Sequence, residues 1–594
     1  MGAAPSEQTL RVDPITLATV VGTLDTSLRE MSITMRRVAM SPVLAIGNDF
    51  SNAIFDGQPR MLDQGHDQPV HIGAMIFACK QVADYFQGDL RPGDVIYHND
   101  PRTGGSHLPD MTVYKPVFID DQLMFWTANR SHMNETGGPL AGGYNPHATE
   151  VWAEGLRISP IKLYESGRAR YDIIDFLLTN FRTRRQFRGD LSAQVAACTL
   201  AEQRLRRLVT RYGAETVISS CEALLDRAER LMRMEIGAMP DGTYKGSSVI
   251  EDDGHGSGEL MISATVRIQG ESIHVKLEAP PQTNSYINSY ASNSMSAVYL
   301  GLLTYVSANI PHNEGVYRPV TVDLGPKGTM VNAEEPAACG LSTSTPLGHV
   351  AEAVRAALAE ALPERAGGGW GKVCMDCFSG TDPRTGEAYA YLSHLTSQGG
   401  GGAFWGQDGE PAIGAIEQAG AARTGEVELI EYMLPFHVRR HELREDSGCP
   451  GRWRGGWGLA VEIEPIDHDV QLSIIGDGMK HASPSLLGGG SESDGDRAFA
   501  RTIHAPGGQR DVSLHSVAPL RAGEVLEVFT AGGGGVGPAK ERALESVIAD
   551  WRGGLLSTGS AMRDYGVEIG LEFTPDGRRR ITATRAEESA AIEI

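Results

Sequence analysis

The stretch from Tyr97 to Gly138 constrains this chain more than any other. It contains HNDPRTGGSHLPD, two short apolar runs and ANRSHMNETGG. The runs, Met111 to Ile119 and Leu123 to Asn129, are separated by Asp120-Asp121. β-branched and aromatic residues on either side of a tight acidic break predict a β-hairpin. Pairing about that turn returns Asp110 to the neighbourhood of Ser131 and His132. His107, three residues before Asp110 in a His-x-x-Asp pair, completes a set of two imidazoles and one carboxylate at the open end of the hairpin. That set suits a divalent metal with an open coordination position. Structural hydrogen bonding is the alternative reading of the same residues.

Before the hairpin, Asp13-Pro14 offers an N-cap and a first-turn proline. Leu17, Val20, Val21, Leu24, Leu28, Met31, Met35 and Val38 then recur at helical spacing until Ser41-Pro42. Asn48 to Asp56 is predicted as a strand, Ile72 to Tyr85 as a helix and Val95 to His98 as a strand. Asp49, on the first of these, is a possible fourth ligand. His71, Asn99, Asp100, Asn129 and Glu135 lie near the motifs as orienting or turn residues. Glu135 is the acid/base candidate by proximity, with His71 beside it.

After a loop-rich segment at 139–165, residues 171–236 read as arginine-rich helices with a solvated, salt-bridged face. Composition changes at Met239-Pro240-Asp241-Gly242, so a boundary is placed there. Residues 243–335 alternate as a β-meander, with helices expected at Ser289 to Leu303 and Thr345 to Leu362. The expected architecture is α+β and multidomain. An N-terminal metal-bearing α/β domain spans 1–238, a central mixed domain 239–450 and a β-rich region 451–594. Gly367 to Gly371, Gly399 to Gly402 and Gly532 to Gly535 have no lysine of a phosphate loop, and are expected as tight loops at a domain junction. Cys374 and Cys377 form a lone CxxC without a second pair, and read as buried thiols.

Bulk properties exclude some classes. At 594 residues the chain exceeds one core. A net charge of −22 argues against nucleic-acid and anionic-membrane surfaces. Seven scattered cysteines suit a reducing, cytoplasmic compartment. No apolar run is long enough to span a membrane, and the first residues have no signal-peptide core. Gly2 and Ser6 match part of a myristoylation pattern that is common by chance.

Taken together, DPITL at 13–17, NDFSNAIFD at 48–56, PVHIGAM at 69–75 and LRPGDVIYHNDPRTGGSHLPD at 90–110 resemble the hydantoinase B family. The match continues through ANRSHMNETGG at 128–138, EGLRISPIKL at 154–163, GDLSAQVAAC at 189–198, RHELREDSGCPGRWRGGWG at 440–458 and AGGGGVGP at 531–538. That family contains the B components of ATP-dependent hydantoinases and lactamases, and related acetone and acetophenone carboxylase subunits. The resemblance implies a divalent metal, zinc or manganese, on His107, Asp110, His132 and Asp49. It also implies a separate hydantoinase A-type partner that binds ATP and Mg and phosphorylates the substrate carbonyl oxygen. A hetero-oligomer acting on a cyclic amide is the first expectation. A ketone carboxylase subunit and a non-catalytic scaffold for the A chain are the alternatives. The chain departs from the family where many members carry a second histidine after the one matching His132 and a carboxylate two positions on. Here Met133, Asn134 and Glu135 follow, and Asn48 stands where arginine is frequent.

Overall fold

The computed structural model describes residues 12–418, 420–492, 494–573, 579–585 and 588–593; the Gly2–Ser6 pattern lies outside them. The first helix, α1 (Pro14–Val38), starts where Asp13 accepts hydrogen bonds from the amides of Ile15 and Thr16. It buries Val20, Leu24, Leu28, Met31 and Met35, the stripe expected from the spacing. A single turn, α2 (Pro42–Ala45), follows. The next strand, β1 (Phe50–Asp56), begins two residues later than expected, because Asn48 takes a left-handed φ of 58°. After β2 (Met61–Gln64) comes α3 (Ile72–Tyr85), whose amino end is formed by His71.

The hairpin is present. β3 (Val95–His98) leads to β4 (Asp110–Ile119) and β5 (Gln122–His132). Asp120 and Asp121 both have positive φ, 48° and 61°, the combination a two-residue hairpin turn of matching twist requires. The register pairs Asp110 with His132 directly. With β6 (Ile161–Glu165) and β7 (Arg168–Ala169) these strands form a seven-stranded sheet in the order β2-β1-β5-β4-β3-β6-β7. Three helices follow: α4 (Tyr171–Asn180), α5 (Arg184–Tyr212) and α6 (Ala214–Gly237). α5 lies between α1 and the β4–β5 hairpin. Its arginines pair as expected for a solvated face, Arg204 with Glu30 and Arg206 with Glu202.

A second sheet, built on β8 (Gly242–Ile250), β9 (Leu260–Gln269), β10 (Ser272–Glu278) and β11 (Val320–Asp323), packs beneath α8 (Thr345–Ala361), with α7 (Ala291–Leu303) between α8 and α3. The 238/239 boundary is therefore a change of element type and not a break in the core. One apolar cluster runs from Val20 through Ile236 and Ile262 to Leu358.

Strand pairing also crosses residue 450. The strand at Phe436–Leu443 pairs with the one at Leu459–Pro465, and Cys374–Thr381 pairs with Val470–Gly476. Two sheets and their shared core thus straddle residue 450. A smaller cluster holds Leu544, Val547, Ala561 and Ile581 near the carboxyl end.

The glycine runs, expected as tight loops, lie outside the helices and strands. They lie against one another as a bonded layer: Gly371 donates to Gly400 at 2.9 Å, Gly456 to Gly401 at 2.8 Å, Gly533 to Gly456 at 2.9 Å and Gly534 to Gly369 at 2.7 Å. A Cβ on Gly455 would stand 1.7 Å from the Gly533 carbonyl oxygen, and one on Gly533 1.9 Å from that of Gly401. Backbone packed this closely admits no side chain, which is why the glycines come in runs. All seven cysteines are buried and free, in keeping with the thiol reading of Cys374 and Cys377.

Candidate metal centre

Strand alternation sets out the first half of the site. Ser51, Arg130, His132, Asp110 and Thr112 face one side of the sheet, while Asn52, Asn129 and Ser131 face the side covered by α5. Asp49 precedes β1 in register with His132, whose amide donates to the Asp49 carbonyl at 3.0 Å. His107 arrives from the loop before β4, and His71 from the start of α3.

Asp110 is the hub. Its Oδ1 lies 3.0 Å from His107 Nε2 and 3.5 Å from His132 Nδ1. Its Oδ2 accepts from Ser106 Oγ at 2.5 Å and lies 3.2 Å from His71 Nε2. Ser51 Oγ is 2.9 Å from His71 Nδ1 and fixes that ring. All of these residues are buried. Burial by itself would raise the Asp110 carboxyl; the imidazoles of His107 and His71 outweigh it and hold the group well below the usual carboxylate range. Burial likewise opposes charge on His107, and Asp110 overcomes it and raises the imidazole.

His107, Asp110 and His132 each present one ligand atom, and the three atoms lie within 4.8 Å of one another. The donor set fits a divalent cation on an observation independent of spacing. His107 Nε2 and Asp110 Oδ1 are 3.0 Å apart yet share no hydrogen bond of acceptable angle, and neither has another partner. His107 Nδ1 meets the Gly340 carbonyl at 2.7 Å and so carries the ring proton, which leaves the Nε2 lone pair for a cation. Both atoms face common space, where either a proton on Nε2 or a bound cation meets the carboxylate. Mixed nitrogen and oxygen donors suit zinc or manganese.

The remaining sequence candidates fall in different places. His71 touches the hub. Asp49 is half-buried beside His132 and acts electrostatically on His107, but its carboxylate is outside the compact triplet. Glu135 is turned away. Its buried carboxylate pairs with the partly exposed Arg182, whose amide also donates to it at 2.5 Å, and the Thr183 amide adds a contact at 3.4 Å. Asn129 bonds Asn52 on the opposite face of the sheet. Asn99 ties the ligand loop to Ile158 and Leu108.

Several contributors carry no sequence signal. Glu154 accepts from the amides of Cys339 and Gly340, at 2.9 Å and 2.5 Å, and so places the carbonyl that fixes His107. Burial pushes its carboxyl up to about 7. Tyr144 stacks on His132 with ring centroids 5.7 Å apart and an interplanar angle of 20°. His394 is buried with an unpartnered Nε2, and the charges of Asp49 and His132 act on it.

Comparison with known proteins bears on this arrangement. The chain is 43% identical over 562 residues to caprolactamase subunit beta of Pseudomonas jessenii, covering 94% of this chain and 96% of that one. The crystal structure of ATP-dependent caprolactamase from the same organism superposes with a TM-score of 0.90 at 42% identity, covering 94% and 97% of the two chains. A nucleotide-free acetone carboxylase structure shares the fold alone, with a TM-score of 0.84 at 17% identity over 97% and 82%. Among the described residues no helix is long and apolar enough to cross a membrane. Residues 13–539 match the family described as Hydantoinase B/oxoprolinase, and the chain belongs to that family.

Proposed function

We propose that this chain is the cation-holding subunit of a two-chain, ATP-dependent hydrolase of cyclic amides. The carrying observation is the unsatisfied His107–Asp110 pair, placed in a chain with close likeness to caprolactamase subunit beta. A ring amide is a poor electrophile at neutral pH. In this reading an A-type partner binds ATP and Mg and phosphorylates the amide oxygen, which makes it a leaving group. His107, Asp110 and His132 hold zinc or manganese, with Asp49 as the further carboxylate. When bound, such a cation brings the pKa of water toward neutrality and polarises the oxygen of the substrate.

This chain's residues do the rest by position. Gly340 keeps the His107 lone pair forward. Ser106 and His71 occupy Asp110 Oδ2 and leave Oδ1 for the cation. His71 steadies Asp110, and Glu135 braces the loop after His132. The hydrolase reading is preferred to the carboxylase because likeness to acetone carboxylase extends to the fold only.

The test is co-expression with the partner, then ATP consumption with hydantoins, lactams, and ketones plus bicarbonate. Consumption coupled to a ring amide is the expected result. Consumption only with ketone and bicarbonate sinks the hydrolase reading.

A further inference from the structure

His107 and His132 are held in different ways. The His107 ring is fixed from behind, where Nδ1 meets the Gly340 carbonyl at 2.7 Å. A ligating imidazole nearly always has such a partner on its second nitrogen. His132 has Asp110 Oδ1 at 3.5 Å from Nδ1, and that residue is itself one of the candidate ligands. No carbonyl or carboxylate among the described residues receives its other nitrogen. Rotation of an imidazole about its last side-chain bond is soft, so packing must set the plane of this ring.

What packs against it is Tyr144. The phenol ring stacks on His132 with centroids 5.7 Å apart and planes 20° apart, and it meets His107 at 6.0 Å and 60°. The two imidazoles are 5.1 Å apart, so the three rings form one group. The chain is shaped to deliver the phenol. Gly142 and Gly143 both take left-handed φ, 97° and 78°. A Cβ on Gly142 would stand 2.7 Å from Cys377 Sγ. One on Gly143 would stand 3.1 Å from Cγ of Pro109, the residue between His107 and Asp110 that closes the ligand motif. On the far side, Asn145 donates to the Ala153 carbonyl at 3.0 Å and accepts from the His147 amide at 3.1 Å. His255 Nε2 lies 3.2 Å from the Pro146 carbonyl. Tyr144 is thus buried and anchored from both directions.

We infer that Tyr144 is the positioning residue for His132, its ring face setting the imidazole plane in place of the hydrogen bond that His107 has and His132 lacks. A parallel ring resists rotation of the imidazole out of its plane. An imidazole bound to a divalent cation also carries part of the positive charge, and the face of an aromatic ring is negative. The contact is therefore stronger in the loaded site than in the empty one, and it favours the loaded site. An aliphatic side chain of similar size supplies neither the plane nor the charge distribution. This rests on the reading of His132 as a ligand and goes beyond it by assigning a residue outside the ligand set.

The test compares the full native chain with Tyr144→Phe and Tyr144→Leu, each stripped of metal, with zinc affinity read by competition against a chelator. Phenylalanine keeps the ring face and should bind zinc within about twofold of the native chain, whereas leucine should bind it about tenfold more weakly. Loaded with cobalt, the leucine variant should show shifted visible absorption bands, because a tilted His132 changes the ligand field, and the phenylalanine variant should not. The melting temperature of each metal-free chain is recorded beside these values, since a purely structural role lowers it and leaves the affinity of the folded chain unmoved. Tyr317→Leu, which breaks the stacked Tyr299–Tyr317 pair elsewhere in the core, is the control and should keep native zinc affinity. Native affinity in Tyr144→Leu, or an equal loss in Tyr144→Phe and Tyr144→Leu, overturns the proposal. His132→Ala separates it from the ligand reading. Full zinc affinity in His132→Ala rejects His132 as a ligand and the proposal with it. Weakened affinity there with native affinity in Tyr144→Leu rejects the Tyr144 assignment alone.

Discussion

His107 Nε2 and Asp110 Oδ1 stand 3.0 Å apart with no hydrogen bond between them. Without a metal the imidazole must take up a proton to sit beside that carboxylate; a bound cation meets both atoms in place of the proton. His107→Ala should therefore abolish stoichiometric metal, read by elemental analysis of the purified chain. A chelator should lower the melting temperature of the native chain and leave the variant unmoved. Loss of a ligand present at 1,000 times its Kd removes about 4 kcal/mol of stability. Full metal content in His107→Ala would falsify the ligand assignment.

Ser51 and Ser106 hold the two groups behind the ligands, one fixing His71 and the other Asp110 Oδ2. Removing such an orienting hydroxyl typically weakens metal affinity about 10- to 100-fold. Ser106→Ala should fall within that range in a chelator competition. It should weaken affinity more than Ser51→Ala, which acts one residue further away. Arg130 donates to Ser106 Oγ at 3.3 Å, so the hydroxyl proton is directed to the carboxylate and not elsewhere.

Glu135 separates a catalytic from a bracing role. Its carboxylate is 1% exposed, against 42% for its partner Arg182. Arg182→Ala leaves an unpaired buried charge, a change that costs about 3–5 kcal/mol in a fully buried pair and less here, where the arginine is partly in water. The expected outcome is a lower unfolding midpoint in urea with metal content per folded chain unchanged. If Glu135→Gln instead abolishes turnover at unaltered stability, the carboxylate moves protons and the bracing role is wrong.

What was readable in the sequence follows from the range of each interaction. The hairpin is a local event. Its alternation and the Asp120-Asp121 turn fix the register within the stretch itself, and that register alone brings Asp110 to His132. α1 was legible for the same reason, since its cap and stripe lie within the helix. Gly340, Glu154 and His394 were not, because each reaches the site from a distant segment without a pattern of its own. Gly340 and His107 are 233 residues apart. The pairing of Glu135 with Arg182 was not legible either, because nearness in sequence to His132 carries no information about direction once the strand ends. The glycine layer was hidden for a different reason. Residues without side chains leave no hydrophobic period to read, so three runs and the Gly455-Gly456 pair that bond to one another look like separate loops.

That layer gives a sharp prediction. Gly455→Ala would place a methyl carbon 1.7 Å from the Gly533 oxygen, and backbone has no rotamer by which to yield. Ordinary overpacking costs about 1–3 kcal/mol where side chains can adjust. Here the backbone segments on both sides must separate, and the expected result is failure to recover folded chain. Gly22→Ala is the control, since nothing lies within 4 Å of the added carbon. Its melting temperature should match or exceed that of the native chain. A folded, native-like Gly455→Ala chain would show that the layer is looser than its hydrogen bonds indicate.

Glu417 sets a pH dependence. Burial pushes its carboxyl up to about 8, with Lys372 lowering and Glu352 raising it. Its carboxylate lies over the first turn of α8 near Gly348. In the unfolded chain the same group titrates near 4.5. Between those values the folded state binds the proton and the unfolded state does not, so stability falls as pH rises. The contribution is whole below about 4.5 and is lost as pH passes through about 8. Glu417→Gln keeps the shape and removes the titration. Its melting temperature relative to the native chain should therefore climb steadily from pH 5 to pH 8 and then level off. A difference that stays constant over this range would mean that Glu417 is already ionised in the fold, with Lys372 as its counter-charge.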